Sequence, residues 1–433
     1  MLRILSTNDP TSEKVIARLI DRVSDERAVE PRVREILEAV REKGDEALLA
    51  FTKEFDGVSL LPGQLRVAEE EIDRASRPIE PRAREALEQA RARIETFHSR
   101  EIRRSWEAEQ QDGTRFGQLV RPLETVGIYI PGGDAPYPST VLMNAVPAVL
   151  AGVSRIVAVT PPRGDGSIHP SVLFAAALCG IKEIYRIGGA QAIGALAYGT
   201  ATIPRVDKIV GPGNVYVNVA KRLVFGEVAI DSLAGPSEIV VLADADANPA
   251  YIAADLLSQA EHDPLATAFL VTPSPRLAEA VNVAIDRQIA DLSRKEVITA
   301  SLEGRGAILI VDDLEEGIAL VNRIAPEHLE VMVDDSRGLL PQLRNAGMIL
   351  LGEYSPVPLC DYGAGPNHVL PTGGTARFSS PLSVNDFVKH TNYLAASKDT
   401  LQTLAGQVGT LAELEGFTAH AAAVKLRTGG ANG

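Results

Sequence analysis

The chain has 433 residues, 45% hydrophobic and 23% charged, long enough for about two to four domains at roughly 150 residues each and too apolar for wholesale disorder. Its 57 acids against 43 bases give a net charge of −14 with no basic tract, which disfavours a nucleic-acid partner and fits a small-molecule enzyme kept in solution by its own repulsion. Two cysteines, Cys179 and Cys360, suit a reducing, cytoplasmic compartment, and neither a signal pattern in residues 1–10 nor a membrane-length apolar run occurs, the run 145–153 being short and holding Pro147 and Gly152.

The first hundred residues carry helical periodicity. Leu87, Ala90, Ile94 and Phe97 recur at spacings of three and four, behind Pro81 in the first turn. Interleaved charges over 66–109 read as a solvated helical surface. Near Leu119 the pattern changes to short apolar runs alternating with helical stretches. Residues 126–130 read as a strand followed by the turn Pro131-Gly132-Gly133. Residues 156–159 form another strand and 170–179 a buried helix. Residues 184–187 lead through Gly188-Gly189 into a helix over 190–197, and 208–210 lead through Gly211-Pro212-Gly213 into a helix over 215–223. Strands over 239–242, 268–272 and 308–311 follow, and helical composition returns from Leu382, most clearly over 401–414. This alternation predicts an α/β protein of parallel sheets with helices on both faces, dense enough for two such domains.

Two glycine junctions, Ile187-Gly188-Gly189-Ala190-Gln191 and Val210-Gly211-Pro212-Gly213-Asn214, follow strands and open helices. There a ligand can approach the backbone and a phosphate can meet a helix N-terminus. Tight packing explains either junction equally well, and no Gly-x-Gly-x-x-Gly fingerprint is present. Among seven histidines, His98, His169 and His390 read as structural or surface residues. The other four have polar company. Gln259 and His262 share a face of the helix predicted over 251–262; Glu327 and His328 follow Pro326; Asp361 and His368 bracket a loop; Glu415 and His420 lie near the C-terminus. Imidazole and carboxylate donors without thiolate suit zinc or a similar ion, yet their spacing matches no metal motif, and structural histidines remain the alternative. Cys360, beside Asp361, is a further candidate nucleophile with nothing adjacent to activate it.

Taken together, the passages Gly127-Ile128-Tyr129-Ile130-Pro131-Gly132-Gly133, Gly188-Gly189-Ala190-Gln191-Ala192-Ile193, Gly211-Pro212-Gly213-Asn214, Asp231-Ser232-Leu233-Ala234-Gly235-Pro236-Ser237-Glu238, Ser258-Gln259-Ala260-Glu261-His262-Asp263, Ala325-Pro326-Glu327-His328-Leu329-Glu330 and Asn367-His368-Val369-Leu370-Pro371-Thr372-Gly373-Gly374 resemble the histidinol dehydrogenase family. The resemblance implies oxidation of the small molecule L-histidinol, through L-histidinal, to L-histidine, the last steps of histidine biosynthesis, with NAD and one zinc per subunit. It implies Gln259, His262, Asp361 and His420 as metal ligands and Glu327 and His328 as the catalytic acid/base pair. Ser237, His368 and Glu415 would contact substrate with those ligands and His328, and Tyr129, Gln191 and Asn214 would contact the nucleotide. The implied fold has two incomplete Rossmann-like parallel-sheet domains with helical N- and C-terminal segments. Residues 1–25 would be a helical arm. Residues 26–125 and 239–381 would form the domain carrying most of the metal and catalytic site, 126–238 the NAD-contacting domain, and 382–433 a tail exchanged in a homodimer with shared sites. A dehydrogenase of another small polar alcohol and a zinc hydrolase using Glu327 are the rival readings; a hydrolase would need no NAD, so absorbance at the NADH wavelength separates it.

Overall fold

Strands that read as continuous apolar runs are the ones a parallel sheet buries on both faces. The computed structural model describes residues 1–20, 23–132 and 135–429; residues 21–22 of the expected arm and Gly133 of the predicted turn lie outside the described residues. In chain order its strands are β1 (Arg3–Ser6), β2 (Trp106–Glu109), β3 (Arg115–Pro122), β4 (Thr125–Tyr129), β5 (Arg155–Thr160), β6 (Glu183–Arg186), β7 (Lys208–Val210), β8 (Ala229–Ile230), β9 (Glu238–Ala243), β10 (Thr267–Thr272), β11 (Ala307–Ile310), β12 (His328–Met332), β13 (Met348–Leu351) and β14 (Val388–Ala395). Two sheets are parallel throughout, one of six strands in the order β1-β11-β10-β9-β12-β13 and one of five in the order β6-β5-β4-β7-β8. In the larger, β9, β10 and β12 are buried at every position. The expected pair of Rossmann-like sheets is present.

The N-terminal residues pack differently from the expected grouping. Val33, Ile36, Leu37 and Val40 form one stripe of the helix Val23–Lys43 and join the core of the five-stranded sheet with Ile193, Leu196, Val219 and Val224. The helix Gly189–Tyr198 admits that stripe closely, since a Cβ on Gly194 would lie 3.1 Å from Leu37. Residues 65–67 continue along the same sheet, with Val67 N–H donating to the Ile184 carbonyl at 2.8 Å and Arg186 N–H to Leu65 at 2.7 Å. The helix Pro81–His98 buries Ile94 in the other face of this sheet's core, with Leu87 and Ala90 partly buried beside it; Phe97 is exposed, outside the predicted stripe. Residues 26–101 therefore pack largely with the smaller sheet, although the helix Pro81–His98 also meets the turn Cys360–Ala364 and His98 meets Asn367. The expected helical arm also begins as a strand, β1, on the edge of the larger sheet.

These elements, Met1–Glu101 with Leu123–Phe387, form one compact unit; Ile102–Pro122 with Val388–Gly433 form a second. The second holds the antiparallel sheet β14-β3-β2 and the helices Lys398–Leu414 and Thr418–Arg427. The tail is thus not wholly helical: β14 pairs with β3 from Val388↔Pro122 to Ala395↔Arg115. Its polar composition hid the strand, because most of its residues on both faces meet solvent. Among the described residues no helix is long and apolar enough to cross a membrane.

Candidate active site

At the C-terminal ends of β4 to β7, a cavity of about 860 Å³ is lined by Tyr129, Thr160, Gly189, Gln191 and Asn214 among others. The glycines here are needed by the backbone. Gly211 has φ +112°, and a Cβ on it would run into the Tyr129 carbonyl. The Tyr129 hydroxyl accepts from Gly189 N–H at 3.1 Å, so it covers the start of the helix where a standard dinucleotide cradle would leave donors open. Asn214 is exposed and caps the next helix, accepting from Val217 N–H at 3.2 Å. Gln191 is buried with its Oε1 unpartnered. Behind the turn, Lys221 Nζ pairs with Asp231 and donates to the Gly211 carbonyl at 3.1 Å, while Asp231 Oδ2 accepts from Gly211 N–H at 2.8 Å. Both side chains of this ion pair are almost wholly buried.

The same cavity is lined by Arg32, Asp56 and Arg163, which sequence reasoning missed. Asp56 has a buried oxygen without a partner, and burial pushes its carboxyl up to about 6. Arg32 and Asp56 come from helices remote in sequence from the glycine junctions, so no local spacing announces them.

The second cluster lies at the opposite edge of its sheet. His328 opens β12, which pairs with β9 from His328↔Ile239 onward. Just before that ladder, Glu327 accepts from Glu238 N–H at 2.8 Å. His328 Nδ1 lies 3.1 Å from the Glu238 carbonyl oxygen. A carbonyl only accepts, so Nδ1 carries the proton and Nε2 holds a lone pair. That Nε2 is buried without a hydrogen-bond partner, and it stands 3.9 Å from Asp361 Oδ1. Burial pulls the imidazole down to about 4, so it is neutral near pH 7.

Asp361 sits in a π-helical turn, Cys360–Ala364, and burial raises its carboxyl to about 7. Its carbonyl lies 3.1 Å from His368 Nδ1, and His368 Nε2 lies 3.4 Å from Thr140 Oγ1. Burial holds His368 at about 4. Gln259 is buried near the end of the helix Pro249–Ala260 with Oε1 unpartnered. This helix packs against Val357–Leu359, the short turn that leads to Asp361. His262 and Asp361 line one cavity of about 430 Å³ with Tyr137, Arg294 and Tyr362. Ser237 is partly exposed and precedes β9. Cys360 is not an activated nucleophile: it is buried, and burial pushes its thiol up to about 12.

Glu415 and His420 belong to the second unit, both exposed; the His420 ring lies 5.2 Å from that of Phe417. Among the described residues no three His, Cys, Asp or Glu side chains meet as a metal cage. The donors of the first unit nevertheless fit a divalent cation in kind: a buried amide oxygen lacking any donor, a carboxylate and an imidazole. The arrangement supplies a neutral base with a free lone pair, a held carboxylate beside it and a separate nucleotide-sized cavity.

The histidinol dehydrogenase family profile matches residues 20–428. The histidinol dehydrogenase of Halalkalibacterium halodurans is 51% identical over 98% of this chain and 99% of its own, and that of Aquifex aeolicus is 52% identical over 93% of each. The crystal structure of histidinol dehydrogenase from Elizabethkingia anophelis superposes with a TM-score of 0.92 at 37% identity, covering 99% of this chain and 98% of that one.

Proposed function

The chain belongs to the histidinol dehydrogenase family, and from that premise we propose how its residues divide the NAD-dependent oxidation of L-histidinol to L-histidine. His328 takes the alcohol proton on Nε2 in the first oxidation. Glu327 takes a proton from water as the water adds to the resulting aldehyde; NAD, when bound, would accept one hydride in each of the two oxidations. Ser237, His368 and Glu415 contact the substrate together with Gln259, His262, His328, Asp361 and His420. Tyr129, Gln191 and Asn214 hold the nucleotide in the larger cavity. The observation that carries this reading is His328, whose Nδ1 is committed to a carbonyl while Nε2 is neutral, buried and unpartnered.

Gln259, His262 and Asp361, with His420 of a second copy of the chain, would hold one zinc ion. When bound, it would orient the substrate amine and imidazole. The unpartnered Gln259 oxygen supports this assignment. A homodimer with shared sites is supported by the large apolar side chains that the second unit exposes, Leu394, Leu414 and Leu426 being 70%, 81% and 74% exposed. The reaction is assigned to the cytoplasm, where Cys179 and Cys360 stay reduced. Chelation should remove zinc and NADH formation from histidinol together, and zinc should restore both. Full activity at zero zinc content would overturn the metal assignment.

A further inference from the structure

The N-terminal edge of a parallel sheet leaves strand-initial N–H groups without ladder partners. At β9 and β12 two glutamates fill that gap for each other. The Glu327 carboxylate accepts from Glu238 N–H at 2.8 Å, and the Glu238 carboxylate accepts from Glu327 N–H at 3.3 Å. The second oxygen of Glu238 accepts from Gly373 N–H at 2.8 Å. The Glu238 side chain is 3% exposed. One buried carboxylate therefore spans the starts of two central strands and the turn Thr372-Gly373, while its own carbonyl fixes the tautomer of His328.

We infer that Glu238 is a positioning residue for the reaction, holding the Glu327 carboxylate and the His328 ring in register through this reciprocal pair of backbone contacts. Its chemistry requires two acceptor oxygens. A glutamine keeps the shape but turns one of them into an amide NH2, which would face a backbone N–H donor to donor. The effect should then appear in the chemical step rather than in binding. The inference rests on the roles proposed above for Glu327 and His328.

The test is a double-mutant cycle on the zinc-loaded enzyme with Glu238→Gln and Glu327→Gln, following histidinal oxidation separately from histidinol oxidation. Glu238→Gln should lower kcat for histidinal oxidation about ten- to a hundredfold, with KM changed less than about threefold and zinc content unchanged. The double variant should be no more than about twofold slower than Glu327→Gln alone, because both changes disable one unit. Losses that multiply, or a Glu238→Gln defect confined to KM or zinc content, would overturn the positioning role. A Glu327→Gln enzyme with normal histidinal oxidation would instead overturn the role given to Glu327. Should Glu238→Gln fail to fold, Glu238→Asp carries the same cycle with both oxygens retained on a shorter stem.

Discussion

At the five-stranded sheet the cavity-lining residues follow the strands: Tyr129 ends β4, Thr160 ends β5, and Gly189 and Asn214 lie at helix starts after β6 and β7. At the six-stranded sheet the clustered residues mostly precede them: Glu238 opens β9, His328 opens β12, and Gln259 and His262 lie at the end of the helix before β10, while Asp361 reaches the cluster after β13. The first edge receives helix N-termini, whose partial positive charge and free N–H groups suit phosphates. The second receives helix C-termini, which suit a cation or a protonated amine. Helix C-termini offer carbonyls rather than N–H groups, so the bases there come from side chains. The contrast explains why one edge is built from glycines and the other from histidine, glutamate, aspartate and glutamine.

Breaking the second edge should cost the most and leave the first untouched. His328→Asn removes the neutral lone pair and should lower kcat about 10²–10⁴-fold, while KM for NAD stays near its original value. A tenfold rise in KM for NAD with unchanged kcat would deny that the edges act separately.

Next comes the support of the first edge. Lys221→Met leaves Asp231 buried without its cation and should destabilise the fold by about 3–5 kcal/mol in denaturant unfolding. Adding Asp231→Asn should recover part of that loss. Equal destabilisation by single and double variants would show that the pair does not act as a pair.

What the sequence revealed divides along the same line. Gly211 and Gly189 are legible because both need a positive φ, and at Gly211 the Tyr129 carbonyl also leaves no room for a Cβ. The strands β9 and β10 are legible because burial on both faces makes them continuously apolar. The mutual capping of Glu238 and Glu327 is not, since it joins residues 89 apart through backbone atoms. Asp56 escaped for a similar reason: it is an acid at the end of an amphipathic helix and becomes unusual only through what covers it. The placement of the helix Val23–Lys43 depended on which sheet offered a small residue to its stripe, a property of Gly194 rather than of the stripe itself. The second unit's β14 escaped because its burial pattern is mostly exposed.

Sharing of the second edge between subunits predicts a smaller, fourfold effect. His328→Asn and His420→Asn chains should each be inactive as homodimers. Mixed in equal amounts and allowed to reassort, half of the dimers carry both chains, and one site in each joins an intact core to an intact tail. About a quarter of wild-type sites should return. Full subunit exchange, checked with two tags, without NADH production would place His420 in its own subunit's site.

The smallest effect concerns Asp56 at the first edge. Its carboxyl is raised to about 6 in the folded chain from an ordinary value of 3.8, and the cause is burial. Between those values the folded state binds a proton that the unfolded state has released. Stability contributed by this group is therefore present at pH 4, falls as pH rises towards 6, and is level above that. The carboxyl is only about half buried, so solvent screening reduces the contribution to about 1 kcal/mol. Asp56→Asn should accordingly gain stability relative to the original chain at pH 7.5 and lose that advantage at pH 4.5, with a difference in Tm of roughly one or two degrees. The comparison must be made without NAD, because a ligand donating to the carboxylate would favour its charged form and oppose the trend. A constant Tm difference across that range would mean that Asp56 titrates alike in both states. The negative charge would then have to be maintained by a cation, and Arg32 and Arg163, which line the same cavity, would be the first substitutions to examine.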